Sequence, residues 1–135
     1  MSEYKRVIHL RETDATEVIY FAELPSIAME AFQNFLKEQD LSLRKIFDDG
    51  QHLIPIVHSE VDFYKPLKVG DEIVVKLSLG GIGEKSFFIN YAIFRDGELA
   101  GRVMIKHVFV DKKSFESILV PPNYRKLLQE KLPSA

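Results

Sequence analysis

At 135 residues the chain has room for one domain, because a second would have almost no core of its own. Hydrophobic residues make up 46%, enough for a packed core, and the 18 Lys and Arg nearly balance the 20 Asp and Glu. That balance leaves no basic footprint for nucleic acid or an anionic membrane, and the lack of cysteine removes disulfides, thiolate catalysis and thiolate metal sites together. Residues 1–14 are too polar for a signal peptide, and no apolar run reaches the roughly 18 residues of a membrane span. A cytoplasmic protein is expected.

Residues 4–11 read as a first strand. A polar stretch follows, then the apolar Val18, Ile19, Tyr20 and Phe21. From residue 24 to 38 the period turns helical: Leu24, Ile27, Ala28, Ala31, Phe32, Phe35 and Leu36 recur at steps of three and four and make one broad stripe. Pro25 suits the first turn, where its missing N–H costs nothing. Asp40 and Asp48-Asp49-Gly50 mark a loop, with a short apolar turn (Leu43, Ile46, Phe47) between them.

Four long strands are expected next, over residues 53–63, 73–79, 87–95 and 99–110. Asp96-Gly97 is a hairpin signal, and Gly80-Gly81 with Gly83 marks a turn or bulge. After Pro121-Pro122 a short helix runs over about residues 124–131. No repeat or linker divides the chain, so residues 1–135 are expected to form a single domain.

This order predicts an α+β fold in which one long helix lies in the concave face of an antiparallel sheet, since its stripe has nowhere else to go. The strands at 87–95 and 99–110 are apolar on both faces. One helix cannot cover both, so burial of the second face in a dimer is expected.

The stretch around Asp14 carries the candidate chemistry. A loop carboxylate stands seven residues before a turn into a helix, whose N-terminus offers free N–H groups and a partial positive charge. Such donors polarise a carbonyl oxygen, while the carboxylate attacks the carbonyl carbon or activates a water beside it. On composition alone, the ordinary reading of Asp14 is a turn or capping aspartate.

The segment Thr13-Asp14-Ala15, then Val18-Ile19-Tyr20-Phe21-Ala22 and a helix with Met29-Glu30-Ala31-Phe32, resembles the signature of the 4-hydroxybenzoyl-CoA thioesterase family. Ile54-Pro55-Ile56-Val57-His58-Ser59 and Phe63-Tyr64-Lys65-Pro66-Leu67-Lys68-Val69-Gly70-Asp71 resemble that family's second strand and the turn after it. Lys85-Ser86-Phe87 and Val120-Pro121-Pro122-Asn123-Tyr124 are similar to its fourth strand and C-terminal turn. The resemblance covers nearly the whole chain, in order. It implies a hot-dog fold, a sheet wrapped around one long helix, assembled as homodimers or homotetramers with sites at the subunit interface.

The resemblance also implies roles. Asp14 is the catalytic carboxylate, the backbone N–H of Phe21 holds the thioester carbonyl oxygen, and Lys85 matches a position associated with the CoA phosphates; Tyr20 and, from its strand face, His58 are further substrate-binding candidates. The implied reaction is hydrolysis of an acyl-CoA to free acid and CoA, with no metal or cofactor and no nucleic-acid or membrane partner. The Ile54–Ser59 and Lys65–Asp71 stretches look closest to the branch acting on 1,4-dihydroxy-2-naphthoyl-CoA, which favours an aromatic acyl group. The sequence departs from the family at Glu17, where many relatives carry glycine, and at Gly83 and Glu84, which stand where arginines precede the lysine matching Lys85.

Alternatives are a thioesterase for short or branched aliphatic acyl-CoA and a non-catalytic hot-dog protein that binds acyl-CoA or an acyl carrier. The Asp-x-Asn-Pro-x-His motif of hydratases and the Gly-x-Ser-x-Gly elbow are absent. Glu17 brings a second carboxylate near Asp14, which raises the pKa of one of the pair if the two are close; otherwise it points to solvent. Glu30 reads as an exposed helix-forming residue, although some hot-dog thioesterases use a helical glutamate. His58, Glu60 and Asp62 share one strand face, and either line the pocket or dimer seam, with His58 as a pocket polar group, or form an edge or interface cluster. His9, His52 and His107 lack ligand spacing.

Overall fold

The structure, a computed structural model, describes residues 2–41, 44 and 50–134. The apolar turn expected at Leu43, Ile46 and Phe47, with Asp48-Asp49, lies outside them. In chain order the elements are β1 (Glu3–Val7), a 3-10 turn (Leu10–Glu12), α1 (Glu23–Glu38), β2 (His52–Leu53), β3 (Ile56–Phe63), β4 (Glu72–Ile82), β5 (Ser86–Arg95), β6 (Glu98–Val108), β7 (Val110–Asp111) and α2 (Pro122–Lys131). The main sheet runs β1-β4-β5-β6-β3 with every pair antiparallel, and β2 pairs with β7 in a separate ribbon.

Every residue of the expected stripe on α1 is buried: Leu24, Ile27, Ala28, Ala31, Phe32, Phe35 and Leu36. They face rows of side chains that cross the sheet by register, such as Leu77, Tyr91, Val103 and Val61, or Ile89 and Ile105. Phe32 packs on Phe87 and His107, with ring centroids 6.2 and 5.2 Å away. This is the hot-dog fold, with the helix filling the curve of the sheet. Gly101 belongs to the same inner face, and a Cβ there would meet Leu24 Cδ2 at 3.0 Å. The missing side chain lets the start of α1 sit close on β6.

Three expected strands are corrected. The first stops at Val7 rather than residue 11, because the chain folds back at Leu10–Glu12, where the Glu12 N–H donates to the His9 carbonyl at 3.0 Å. The strand expected over 53–63 breaks at Pro55, which has no N–H for a ladder: β2 leaves to pair with β7, and β3 begins after it with a register shift between Ile56 and His58. The strand expected over 99–110 ends at Val108, and Val110 turns to pair with Leu53.

Punctuation read from sequence matches the structure at two turns. Asp96 and Gly97 both take positive φ (51° and 76°), the backbone a two-residue hairpin requires. A register shift falls at Gly80, between Leu79 and Gly81, and the Phe88 ring lies so close that a Cβ on Gly80 would sit 2.2 Å from it. On the outer face of the sheet Phe88, Ala92, Phe94, Met104 and Val108 are half-buried. Among the described residues no helix is long and apolar enough to cross a membrane.

Phe32 is central to the helix–sheet contact, being 2% exposed and packed against the rings of Phe35, Phe87 and His107. Phe32→Ala should lower unfolding free energy by about 3–5 kcal/mol, the usual cost of such a cavity. A urea titration followed by circular dichroism measures it.

Candidate active site

The segment between the 3-10 turn and α1 is a miniature hairpin. Thr13 bridges Ile19, the Asp14 N–H donates to the Val18 carbonyl at 3.1 Å, and the Glu17 N–H donates to the Asp14 carbonyl at 3.0 Å. Closing so tight a turn needs one left-handed residue, and Glu17 takes it with φ 69°. At the position where many relatives carry glycine, glutamate thus takes the left-handed backbone that glycine adopts without cost. Its side chain points to solvent.

The Asp14 carboxylate is exposed and held at one oxygen. Oδ1 accepts the Thr16 N–H at 2.8 Å and the Thr16 hydroxyl, the arrangement of an Asx turn. These donors favour the anion and hold the Asp14 carboxyl below its ordinary range. Thr16, not repulsion from Glu17, sets its titration. Among the described residues Oδ2 accepts no hydrogen bond, which leaves it free for chemistry.

The entry to α1 supplies the opposite polarity. The Glu23 N–H donates to the Tyr20 carbonyl at 2.9 Å, and no side chain caps the helix. Among the described residues the Phe21 N–H donates to nothing, so it stays available at the positive end of the helix. Asp14 and Phe21 line one cleft of about 390 Å³, with Val18, Ile19 and the chain leaving β3 (Phe63, Tyr64, Lys65, Pro66 and Leu67). The Ile19 N–H donates to the Leu67 carbonyl at 2.7 Å and ties the two walls together. The cleft lies within the range of about 300–1,000 Å³ common for small-molecule sites. Three of its walls are exposed aromatics: Phe21 at 65%, Tyr64 at 53% and Phe63 at 47%.

The other expected site residues fall outside this cleft in one chain. The Tyr20 ring packs on Phe21 with centroids 4.8 Å apart, beside the cleft rather than in it. His58 lies on the edge strand β3, opposite Lys106 and on the sheet face away from α1, and pairs with Glu60 Oε1 at 3.0 Å. Glu60 and Asp62 share that outer face on the edge strand, so all three stand apart from the Asp14 cleft within one chain. Lys85 stands in the turn before β5, where β5 passes His107 and Ile56. The cleft adjoins Phe63, seven residues along β3, or about 23 Å at the usual strand rise.

Glu30 is not a free surface residue. It is half-buried and accepts Arg6 Nη1 at 2.7 Å and the Tyr4 hydroxyl at 3.2 Å, away from the Asp14 cleft. His107 is a core residue stacked on Phe87 at 5.0 Å, and burial pushes its pKa down. Among the described residues no three metal-binding side chains cluster.

Sequence reasoning missed Thr16, although Asp-x-Thr is the local spacing of an Asx turn. It also missed the walls from Phe63 to Leu67, quoted as a family turn but not as part of the site. The buried pair of Arg6 and Glu12 leaves no periodic signal, because the two meet only where the chain folds back at Leu10–Glu12.

The chain belongs to the thioesterase-like superfamily, whose family model matches residues 8–131. It is 37% identical over 124 residues to a 1,4-dihydroxy-2-naphthoyl-CoA hydrolase of Gloeothece citriformis, covering 90% of this chain and 87% of that protein. A protein of the same name from Crocosphaera subtropica is 38% identical over 113 residues, covering 82% of each. Among solved structures, a 1,4-dihydroxy-2-naphthoyl-CoA thioesterase from Synechocystis superposes with a TM-score of 0.88 at 26% identity, covering 96% of both chains.

The left-handed glutamate carries a stability consequence. Glu17→Gly should raise unfolding free energy by about 1 kcal/mol, because the Cβ clash of that conformation disappears. Thermal denaturation of the two proteins side by side measures the shift.

Proposed function

We propose that this protein hydrolyses an aromatic acyl-CoA thioester to the free acid and CoA, with 1,4-dihydroxy-2-naphthoyl-CoA as the favoured substrate. The observation that carries the reading is the convergence of an anchored carboxylate and an unpartnered backbone N–H on one apolar cleft. The close relatives named for that substrate support the choice of acyl group. So do the aromatic walls Phe21, Phe63 and Tyr64, on which a flat ring system stacks.

In this reading the thioester carbonyl oxygen points at the Phe21 N–H. Negative charge that grows on the oxygen during attack meets a donor already aimed at it, backed by the helix dipole. Asp14 works as an anion through its free Oδ2. It either attacks the carbonyl carbon, expelling the CoA thiolate and leaving an anhydride that water cleaves, or takes a proton from an attacking water. Thr16 holds Oδ1 in both routes.

The same reading makes the site a product of assembly. β3 is an edge strand, and Ile56, Val57, Phe63 and Tyr64 along and just beyond it are exposed. A homodimer or homotetramer that covers this edge would enclose the open side of the cleft and bring a second copy's Tyr20, His58 or Lys85 within reach of the substrate. The balanced charge and a CoA-ester substrate are consistent with work in the cytoplasm.

A panel of aromatic and aliphatic acyl-CoAs, assayed by thiol release, tests the proposal. Asp14→Asn should lower kcat by about 10²- to 10⁴-fold on every accepted substrate, and aromatic esters should show the highest kcat/KM. Activity of the variant within a few-fold of the parent would remove Asp14 from the mechanism. Saturable binding without turnover by the parent would instead favour a binding protein.

The hydrogen bonds at Asp14 also fix a pH dependence. Thr16 stabilises the anion, so the acid limb of kcat/KM should lie below the ordinary carboxylate range. Thr16→Val removes the hydroxyl donor, and the limb should then move to higher pH.

A further inference from the structure

Beneath the Asp14 loop lies a charged array that the proposed reaction does not use directly. Glu12 is 2% exposed, and the Arg6 side chain is 7% exposed. Glu12 Oε1 accepts Arg6 Nη2 and also the His9 N–H, the latter at 2.8 Å. The other arm of the same guanidinium, Nη1, reaches Glu30 Oε2 on α1 at 2.7 Å. Arg6 therefore ties β1 to the loop with one nitrogen and to the helix with another.

The backbone of Glu12 makes the decisive bond. Its carbonyl accepts the Tyr20 N–H at 2.7 Å, one residue before the Phe21 donor. Two residues further along the chain stands Asp14. Glu12 is thus the node from which both halves of the site are hung, the carboxylate by covalent chain and the donor by a hydrogen bond.

We propose that Glu12, held by Arg6, is a positioning residue that sets the distance and angle between the Asp14 carboxylate and the Phe21 N–H. The inference rests on the thioester hydrolysis proposed above for that pair. Stability alone is a poor reason for the array, since buried ion pairs are commonly replaced by apolar residues of similar volume at no loss. An apolar side chain at position 12 would fill the space but make neither of the two directional bonds that Glu12 Oε1 accepts. Two directional bonds into one carboxylate oxygen fix its orientation. Reaction geometry is sensitive at this scale: a shift of about 1 Å costs as much as 10²-fold in rate.

The test uses Glu12→Gln in the full-length protein, with two readouts. Steady-state thiol release on the best acyl-CoA should show kcat reduced about 10- to 100-fold with KM within about twofold. Amide hydrogen exchange by NMR should show faster exchange at Asp14 and Tyr20 in the variant, with Phe32 and Phe35 in the middle of α1 unchanged. The exchange readout needs no activity. If the parent hydrolyses no thioester, the function reading fails by itself, and local acceleration still supports the anchor.

The proposal is overturned if exchange at Asp14 and Tyr20 is unchanged, or rises equally with that of Phe32 and Phe35. A kcat within twofold of an active parent overturns it as well. Should Glu12→Gln fail to fold, the double variant Arg6→Met with Glu12→Leu removes both buried charges together. The same two readouts then decide.

Discussion

The apolar stripe of α1 can leave water only by lying in the curve of the sheet, and this burial fixes where the helix begins. Each large side chain on the stripe contributes about 1.5–3 kcal/mol when it is buried, so the helix has little freedom to slide. Leu24 lies over Gly101, where a side chain would hold the helix off. The uncapped first turn of α1 is then set beside the chain that leaves β3. The cleft exists because a packed helix begins there.

Burial positions the helix, but it does not orient a carboxylate. Directional bonds do that in the loop: Thr16 on Asp14, Val18 and Ile19 closing the hairpin, and Glu12 joining β1 to the helix entry. Glu17 shows the demand of this geometry, since a non-glycine residue occupies a left-handed conformation to complete the turn. Strain of this kind persists only where the surrounding bonds over-determine the backbone. The loop is a rigid mount for an exposed anion.

Much of this was legible in the sequence because it depends on local rules. The three-and-four spacing from Leu24 to Leu36 marked the buried face of α1, and Asp96-Gly97 marked its hairpin. The motif around Asp14 marked the cleft through its resemblance to a family. Strand limits were less legible: apolar runs passed across Pro55 and Phe109, where pairing partners change, and periodicity carries no information about partners. Glu30 read as a surface residue because its partners, Tyr4 and Arg6, are more than twenty positions away. His58 shares the outer face of Glu60 and Asp62 by simple alternation, whereas the register shift before it breaks that alternation toward Ile56.

The central claim is that Asp14 and the Phe21 N–H act on one carbonyl. Phenacyl-CoA retains that carbonyl but separates it from the sulfur by a methylene, so it binds without being hydrolysed. Titrated into isotope-labelled protein, it should move the Phe21 amide proton downfield to saturation and perturb Asp14 along the same binding curve. Saturable binding that leaves both the Phe21 amide and Asp14 unmoved would contradict the account.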